Sequence, residues 1–320
     1  MGWRIIEIDK NAHVKLFLNN LIVSGDIKMS IPINDIDVVL FSNSRTNVSV
    51  NLLNYLANQN VCVFFCDEKY MPCAVVNPIV GNLFTLKIFN EQIKWSTEFK
   101  NKAWKKIVEI KCENQFKYLK HLNLLPIQLE KDISKYISEI EDGDVTNREG
   151  HIAKIYWHIL FGIEFSRTKE HLIINQILNY GYTVINAMIA RSIIKKGLDC
   201  RISLFHKSVY NQFALSSDLI EPFRNIVDIL VVELLKNNLI TKGDGVLTIE
   251  LKEICLDFIA NFKLLINGLS QQLNNAIDEF VDSLVNKNIE KVTIEYFYDV
   301  ETIKEEKQDY FHLDEENVKV

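Results

Sequence analysis

The chain has 320 residues, 48% of them hydrophobic, with only five prolines and a net charge of −6. That length and apolar content exclude a disordered chain and favour two domains over one. No apolar run approaches the ~20 residues of a membrane helix, and MGWRIIEIDK lacks the charged-then-apolar build of a signal peptide, so a cytoplasmic protein without membrane contact is expected.

Residues 2–45 read as consecutive short strands: WRIIEI, HVKLFL, LIVSG, IKMSIPI and DIDVVLFS. Turn signals separate them at Asp9-Lys10-Asn11, Asn19-Asn20 and Ser24-Gly25-Asp26. Alternation at Val14, Leu16 and Leu18 suits a sheet with one buried face. Val48 to Ala57 has helical spacing, VCVFFCD returns to strand, and MPCAVVNP is another strand candidate. Strands at this density imply a small β-sandwich or roll over residues 1–81. Composition shifts around Pro78 to Asn82, and the pattern becomes helical. Gln92 to Leu119 is amphipathic, with Trp95, Phe99, Ala103, Ile107, Ile110, Asn114 and Tyr118 near one side. Pro126 precedes a second helix, Leu129 to Ile140, and EDGDVTN is a loop before a helix starting near Thr146. His171 to Lys196 reads as buried; Lys195-Lys196-Gly197 is a stop, with cations at the negative dipole end and then a residue free to turn left-handed. Helices over 219–237 and 247–288 flank the turn Gly243-Asp244-Gly245, and 289–301 is a strand candidate. The expected fold class is therefore α+β: the β-domain, then an all-α domain over 82–294, then an acidic tail over 295–320.

The charge is unevenly spread. From Glu295 to Val320 nine acids face three lysines, so the tail carries the whole excess and residues 1–294 are neutral overall. Lys87 to Lys120 holds nine lysines against four glutamates, and Arg191, Lys195, Lys196, Arg201 and Lys207 surround the approach to His206. A solvated face explains lysine-rich helices; beside a metal site the same charges would draw in phosphate.

The six cysteines lack a paired metal spacing and read as reduced, structural thiols. Asp218 and Glu221 stand three apart, on one face if helical, with Pro222 marking a helix start or kink near Ser217. Acids are common in first turns because they complement the dipole, and such acids stay ionised, as metal ligands must. Thr146-Asn147-Arg148-Glu149 fits a capping box, and taken alone that pattern favours a cap over a ligand. His206 and His151 would each be ordinary packed or surface histidines if read singly. Two carboxylates and one imidazole suit Mg²⁺ or Mn²⁺ rather than zinc, for which no motif is present. No phosphate-cradling glycine loop and no serine or cysteine nucleophile arrangement is present, which argues against ATP-driven chemistry. Arg224 is a phosphate or carboxylate partner with Asp228 as an alternative mate at i+4, and Tyr180 and Tyr182 read as core rather than base-stacking residues.

Three segments, NREGHIAKIYWHILFG, INQILNYGYTVINAMIAR and FALSSDLIEPFRNIVD, together resemble the CRISPR adaptation integrase, the nuclease-integrase subunit that acquires new spacers. The opening GWR and VCVFFCDEKYMPCAVVNP fit the version found with single-effector (type II) systems, and the resemblance spans roughly residues 2–290. It implies Glu149, His206 and Glu221 as metal ligands and Asp218 as a further catalytic-site residue. It also implies dimerisation through the N-terminal domain and catalysis in the helical one. The expected partners are captured and repeat duplex DNA and a small ferredoxin-like adaptation subunit in a heterohexamer, with the effector nuclease and a further adaptation protein as additional candidates. The expected activity is DNA cleavage and insertion by 3′-hydroxyl transesterification. A structure-specific junction nuclease and a non-catalytic DNA-binding scaffold are the alternatives. Gln176-Ile177 departs from the family's smaller or leucine residues, and the acidic extension is longer than the family suggests.

Overall fold

The computed structural model describes residues 4–25, 28–59, 61–66, 72–76, 85–206 and 210–298. Its contacts divide the chain into two compact units that meet in sequence between Leu83 and Phe84. Lys207 and the acidic stretch beyond residue 298 lie outside the described residues.

The first unit holds strands β1 (Arg4–Ile8), β2 (His13–Phe17), β3 (Asn20–Ser24), β4 (Met29–Pro32), β5 (Ile36–Phe41) and β6 (Asn47–Val48), helix α1 (Val50–Asn58), then β7 (Cys62–Cys66) and β8 (Pro72–Val76). They form two four-stranded sheets, ordered β1-β5-β7-β8 and β4-β3-β2-β6. Strand β5 runs parallel to both β1 and β7. The chain needs a crossover between β5 and β7, and α1 lies within it, started by the Ser49 side chain accepting from the Leu52 N–H (3.3 Å). Every residue of β5 is buried, which explains its near-continuous apolar run, IDVVLF. Ile8, Val39 and Val63 of one sheet share a core with Val14, Leu21 and Ile31 of the other and with Leu52 and Leu56 of α1.

The second unit opens with α2 (Thr85–Ile93), α3 (Thr97–His121), α4 (Ile127–Ser138), α5 (Arg148–Phe161), α6 (Ile173–Lys195), α7 (Ala214–Leu219), α8 (Arg224–Lys236) and α9 (Ile249–Asn261). It closes with β9 (Lys263–Ile266), β10 (Leu269–Gln272), α10 (Leu273–Val285) and β11 (Ile294–Tyr296). Helix α6 is the central post: its apolar residues Ile174, Ile177, Leu178, Ile185, Ile189 and Ile193 are buried. It ends as the sequence suggests, with Gly197 in left-handed backbone (φ +83°). Gly181 lets α6 approach α8 closely, since a Cβ there would sit 2.6 Å from Val227 Cγ1.

The expectation of an all-α second domain needs correction. Residues expected as one helix over 247–288 form α9, a hairpin and α10, and the hairpin joins β11 in an antiparallel sheet ordered β10-β9-β11. Asn267-Gly268 is the physical cause: both residues have positive φ (51° and 78°), the backbone of a two-residue hairpin turn. The unit is mainly helical with this one small sheet. Among the described residues no helix is long and apolar enough to cross a membrane.

Candidate active site

Glu149 enters the site from the first turn of α5. The capping-box alternative fails there, because other side chains cap the helix. Asn147, itself in left-handed backbone, accepts from the Gly150 N–H (3.2 Å), and the Asp144 carboxylate accepts from the N–H groups of Arg148 (2.8 Å) and Glu149 (3.1 Å). The Glu149 carboxylate is thereby left to pair with the Lys111 ammonium of α3.

Glu221 comes from a break in the helical path. Helix α7 stops at Leu219, a single 3₁₀ turn covers Glu221–Phe223, and α8 starts at Arg224. Pro222, with no N–H to donate, sits in that turn, so the kink expected near it is real but lies a few residues beyond Ser217. Lys111 Nζ donates to Glu221 Oε2 (2.5 Å) and Arg224 Nε to Glu221 Oε1 (2.9 Å). Burial alone would raise the Glu221 pKa; the charges of Lys111 and Arg224 and their hydrogen bonds overcome it and bring it down to about 2. Burial conversely works against the Lys111 cation, but Glu221 and Glu149 outweigh it and hold its pKa above the ordinary lysine value. Glu221 is a carboxylate at any physiological pH.

Asp218 and His206 form a second group. The Asp218 carboxylate is wholly buried and accepts from the N–H groups of Leu204 (2.6 Å), Phe205 (3.0 Å) and His206 (3.1 Å), and its Oδ1 lies 2.6 Å from His206 Nδ1. It sits in the last turn of α7, so the expected help from a helix N-terminal dipole does not reach it, and backbone N–H groups replace that help. One acid therefore folds the loop and fixes the ring, leaving Nε2 as the nitrogen available to a ligand. Phe205 stacks on Trp104 of α3 (4.4 Å between centroids), and His206 meets the same indole edge-on. The hydrogen bond that its ring donates to Asp218 raises the His206 pKa, burial lowers it, and the charges of Asp218, Glu221 and Glu149 add to the rise.

Behind this front lies a fourth acid. Asp228 of α8 accepts from the hydroxyls of Tyr156 (3.0 Å) and Tyr182 (2.8 Å). Tyr180 and Tyr182 are buried, as core residues should be, but Tyr182 also carries the Arg224 guanidinium over its ring (4.5 Å). Arg224 is therefore the mate of Glu221 and not of Asp228. His151 is exposed on α5, beside Tyr136.

The basic cluster is largely engaged within the chain. Lys195 donates to Asp278 (2.5 Å), Lys196 pairs with Asp282, and Arg201 forks onto Asp199 (2.9 and 2.5 Å). Arg191 adds its charge near Asp278.

Lys111 was missed by the sequence reading, which counted it among the solvated lysines. Its signal was helical phase: Trp104, Val108, Lys111, Gln115 and Tyr118 follow one another at alternating steps of four and three, and all are buried. As they stand, no three metal-capable side chains among the described residues gather as they would round an ion. Glu149 and Glu221 do converge on one cation, the Lys111 ammonium, so this pair can share a cationic ligand. Two carboxylates and an imidazole oriented by a buried acid are a donor set fit for Mg²⁺ or Mn²⁺.

A family model described as "CRISPR associated protein Cas1" matches residues 8–257. The CRISPR-associated endonuclease Cas1 of Neisseria meningitidis serogroup C (strain 8013) is 33% identical over 236 residues, covering 73% of this chain and 76% of that protein. Among solved structures, a casposase bound to integration product superposes with a TM-score of 0.73 at 18% identity, covering 93% of this chain and 96% of that one. A chain of a Cas6-RT-Cas1–Cas2 complex gives a TM-score of 0.71 at 16% identity, covering 94% of this chain and 36% of that one.

Proposed function

The chain belongs to the Cas1 family of CRISPR-associated proteins, and from that premise we propose that it is the DNA endonuclease and integrase that inserts captured DNA fragments into a CRISPR repeat array. The observation that carries this reading is the convergence of two acids from α5 and the 3₁₀ turn on one buried cation, with an imidazole oriented by Asp218. In the reaction the 3′-hydroxyl of a captured end attacks a repeat phosphodiester, a P–O bond forms, and the repeat strand's 3′-oxygen leaves. One phosphodiester replaces another, so no nucleotide cofactor is required. With water as nucleophile the same site cleaves DNA.

In this reading Glu149, His206 and Glu221 hold the Mg²⁺ or Mn²⁺. When bound, such an ion supplies Lewis-acid polarisation of the phosphoryl oxygen. The protein's own groups do the rest. Asp218 fixes the tautomer and direction of His206. Arg224 and Lys111 keep Glu221 ionised. Phosphate contact is assigned to Arg191, Lys195, Lys196, Arg201, Lys207 and Arg224; of these, Lys195, Lys196, Arg201 and Arg224 would each exchange a carboxylate for a phosphate. The strand-rich unit is assigned a sandwich or roll architecture and dimerisation, and the helical unit catalysis. The partners are duplex DNA and a small ferredoxin-like Cas2-type subunit joining two dimers in a heterohexamer, in the cytoplasm. The chain of known structure from a Cas1–Cas2 complex supports that partnership.

The test is strand transfer of a labelled duplex with 3′-hydroxyl ends into a repeat-containing plasmid, with Mn²⁺ present. Glu149→Ala, His206→Ala and Glu221→Ala should each abolish it while circular dichroism stays unchanged. Activity retained in any two of them would remove the assignment.

A further inference from the structure

Of the nine lysines between Lys87 and Lys120, Lys111 is the one that turns inward. Its side chain is 8% exposed, and its ammonium bonds both Glu149 and Glu221. Those acids arrive from elements far apart in sequence, and without a cation between them they would repel at close range in a poorly solvated place. The lysine thus occupies the point on which both carboxylates aim, the point the proposed metal would also need. The two cannot share it.

We propose that Lys111 is a resident placeholder cation: it holds Glu149 and Glu221 in converging positions before the divalent ion arrives, then yields its place to that ion. This rests on the metal-dependent reading above. The local charges support the exchange. With Lys111 and Arg224 beside the two acids, the group is neutral. Counting also the buried Asp218 carboxylate behind a neutral, ligating His206, a divalent ion entering while Lys111 stayed would leave a net positive charge in a buried site. If the ammonium withdraws, the three carboxylates balance the ion and Arg224. Lysine suits the part, because its charge is a compact point on a flexible four-carbon stem. Lys111 is a positioning residue on this account, and its loss should loosen the acids of the metal-free protein while removing a competitor for the metal.

Two measurements test it on the full chain. The first is a crystal structure of the wild type with Mn²⁺, located by anomalous scattering. Lys111 Nζ should be hydrogen-bonded to neither Glu149 nor Glu221; an ammonium still bonded to both beside a bound ion would overturn the exchange and leave the metal site standing. The second is calorimetric Mn²⁺ titration of the wild type, Lys111→Met and, as a control for the site, Glu149→Gln. Lys111→Met should bind Mn²⁺ about tenfold more tightly or better, because the metal no longer displaces a paired cation. Equal or weaker binding in Lys111→Met would overturn the exchange. No Mn²⁺ binding in either protein would overturn the metal reading together with it. Should Lys111→Met not fold, the wild-type structure decides alone.

Discussion

Glu221 and Asp228 stand seven positions apart, both buried, and yet they are held in opposite directions. Burial raises the pKa of both. Around Glu221 the neighbours are cations, Lys111 and Arg224, and the pKa falls to about 2. Around Asp228 the nearest partners are the hydroxyls of Tyr182 and Tyr156, which recover only part of the desolvation cost, and the pKa rises to about 6. Burial sets the stakes and the partners set the sign. An acid kept ionised among cations is suited to ligate metal; an acid clasped by two phenols is suited to hold helices α5, α6 and α8 together.

The contrast can be broken most decisively at its ionised pole. Glu221→Gln keeps the shape and removes the charge, and strand transfer should fall by more than about 100-fold, beyond what losing an outer-shell partner costs. A residual rate near wild type would show that the ionised acid is not needed. Asp218→Asn should have a smaller effect, roughly 10- to 100-fold on rate, because it leaves the ligands present while loosening the His206 ring and the loop that carries it; the same variant should weaken Mn²⁺ binding in calorimetry by a similar factor. If Asp218→Asn proved as severe as Glu221→Gln, Asp218 would belong with the ligands.

The neutral pole makes a prediction about pH. Asp228 binds its proton more tightly folded than unfolded, so its contribution to stability is most favourable below its ordinary value of 3.8 and is lost as pH rises through about 6. Glu221 runs the other way: its contribution is present above its ordinary value of 4.5 and fades as pH falls toward about 2. Between pH 4.5 and 6 Glu221 adds no slope, and subtracting Asp228→Asn from the wild type separates the Asp228 slope from those of Glu109 and Asp257, which burial also raises. Urea melts of Asp228→Asn across that window should lose a pH dependence of at most roughly 2 kcal/mol that the wild type shows. Tyr156→Phe should be the mildest change, costing on the order of 1 kcal/mol for one buried hydrogen bond and moving the Asp228 midpoint further up. A Tyr156→Phe midpoint that fell would mean that the phenol does not stabilise the carboxylate.

How much of this was legible beforehand differs from residue to residue. The long helices declared themselves, since Ala103, Ile107, Ile110, Asn114 and Tyr118 follow helical spacing and are buried. The hairpin was signalled by Asn267-Gly268 but hidden within a segment whose apolar residues also fit a helix. The parallel pairing of β5 with β1 and β7 has no local signal, because the partners are distant in sequence and only the assembled sheet brings them together. The same holds for Lys111, whose meaning depends on two acids from other elements. Glu149 shows the reverse difficulty: its spacing from Thr146 satisfied a local rule, while Asp144 and Asn147 performed the capping.

One bond made by the small terminal sheet reaches the chemistry directly. The Tyr296 hydroxyl of β11 donates to the Pro222 carbonyl, in the very turn that presents Glu221. Helices α3, α5 and α8 can form from their own segments, but this latch closes only once β11 has zipped onto β9. A chain lacking β11 would keep Glu149, His206, Asp218 and Glu221 but lose the bond that steadies the turn presenting Glu221.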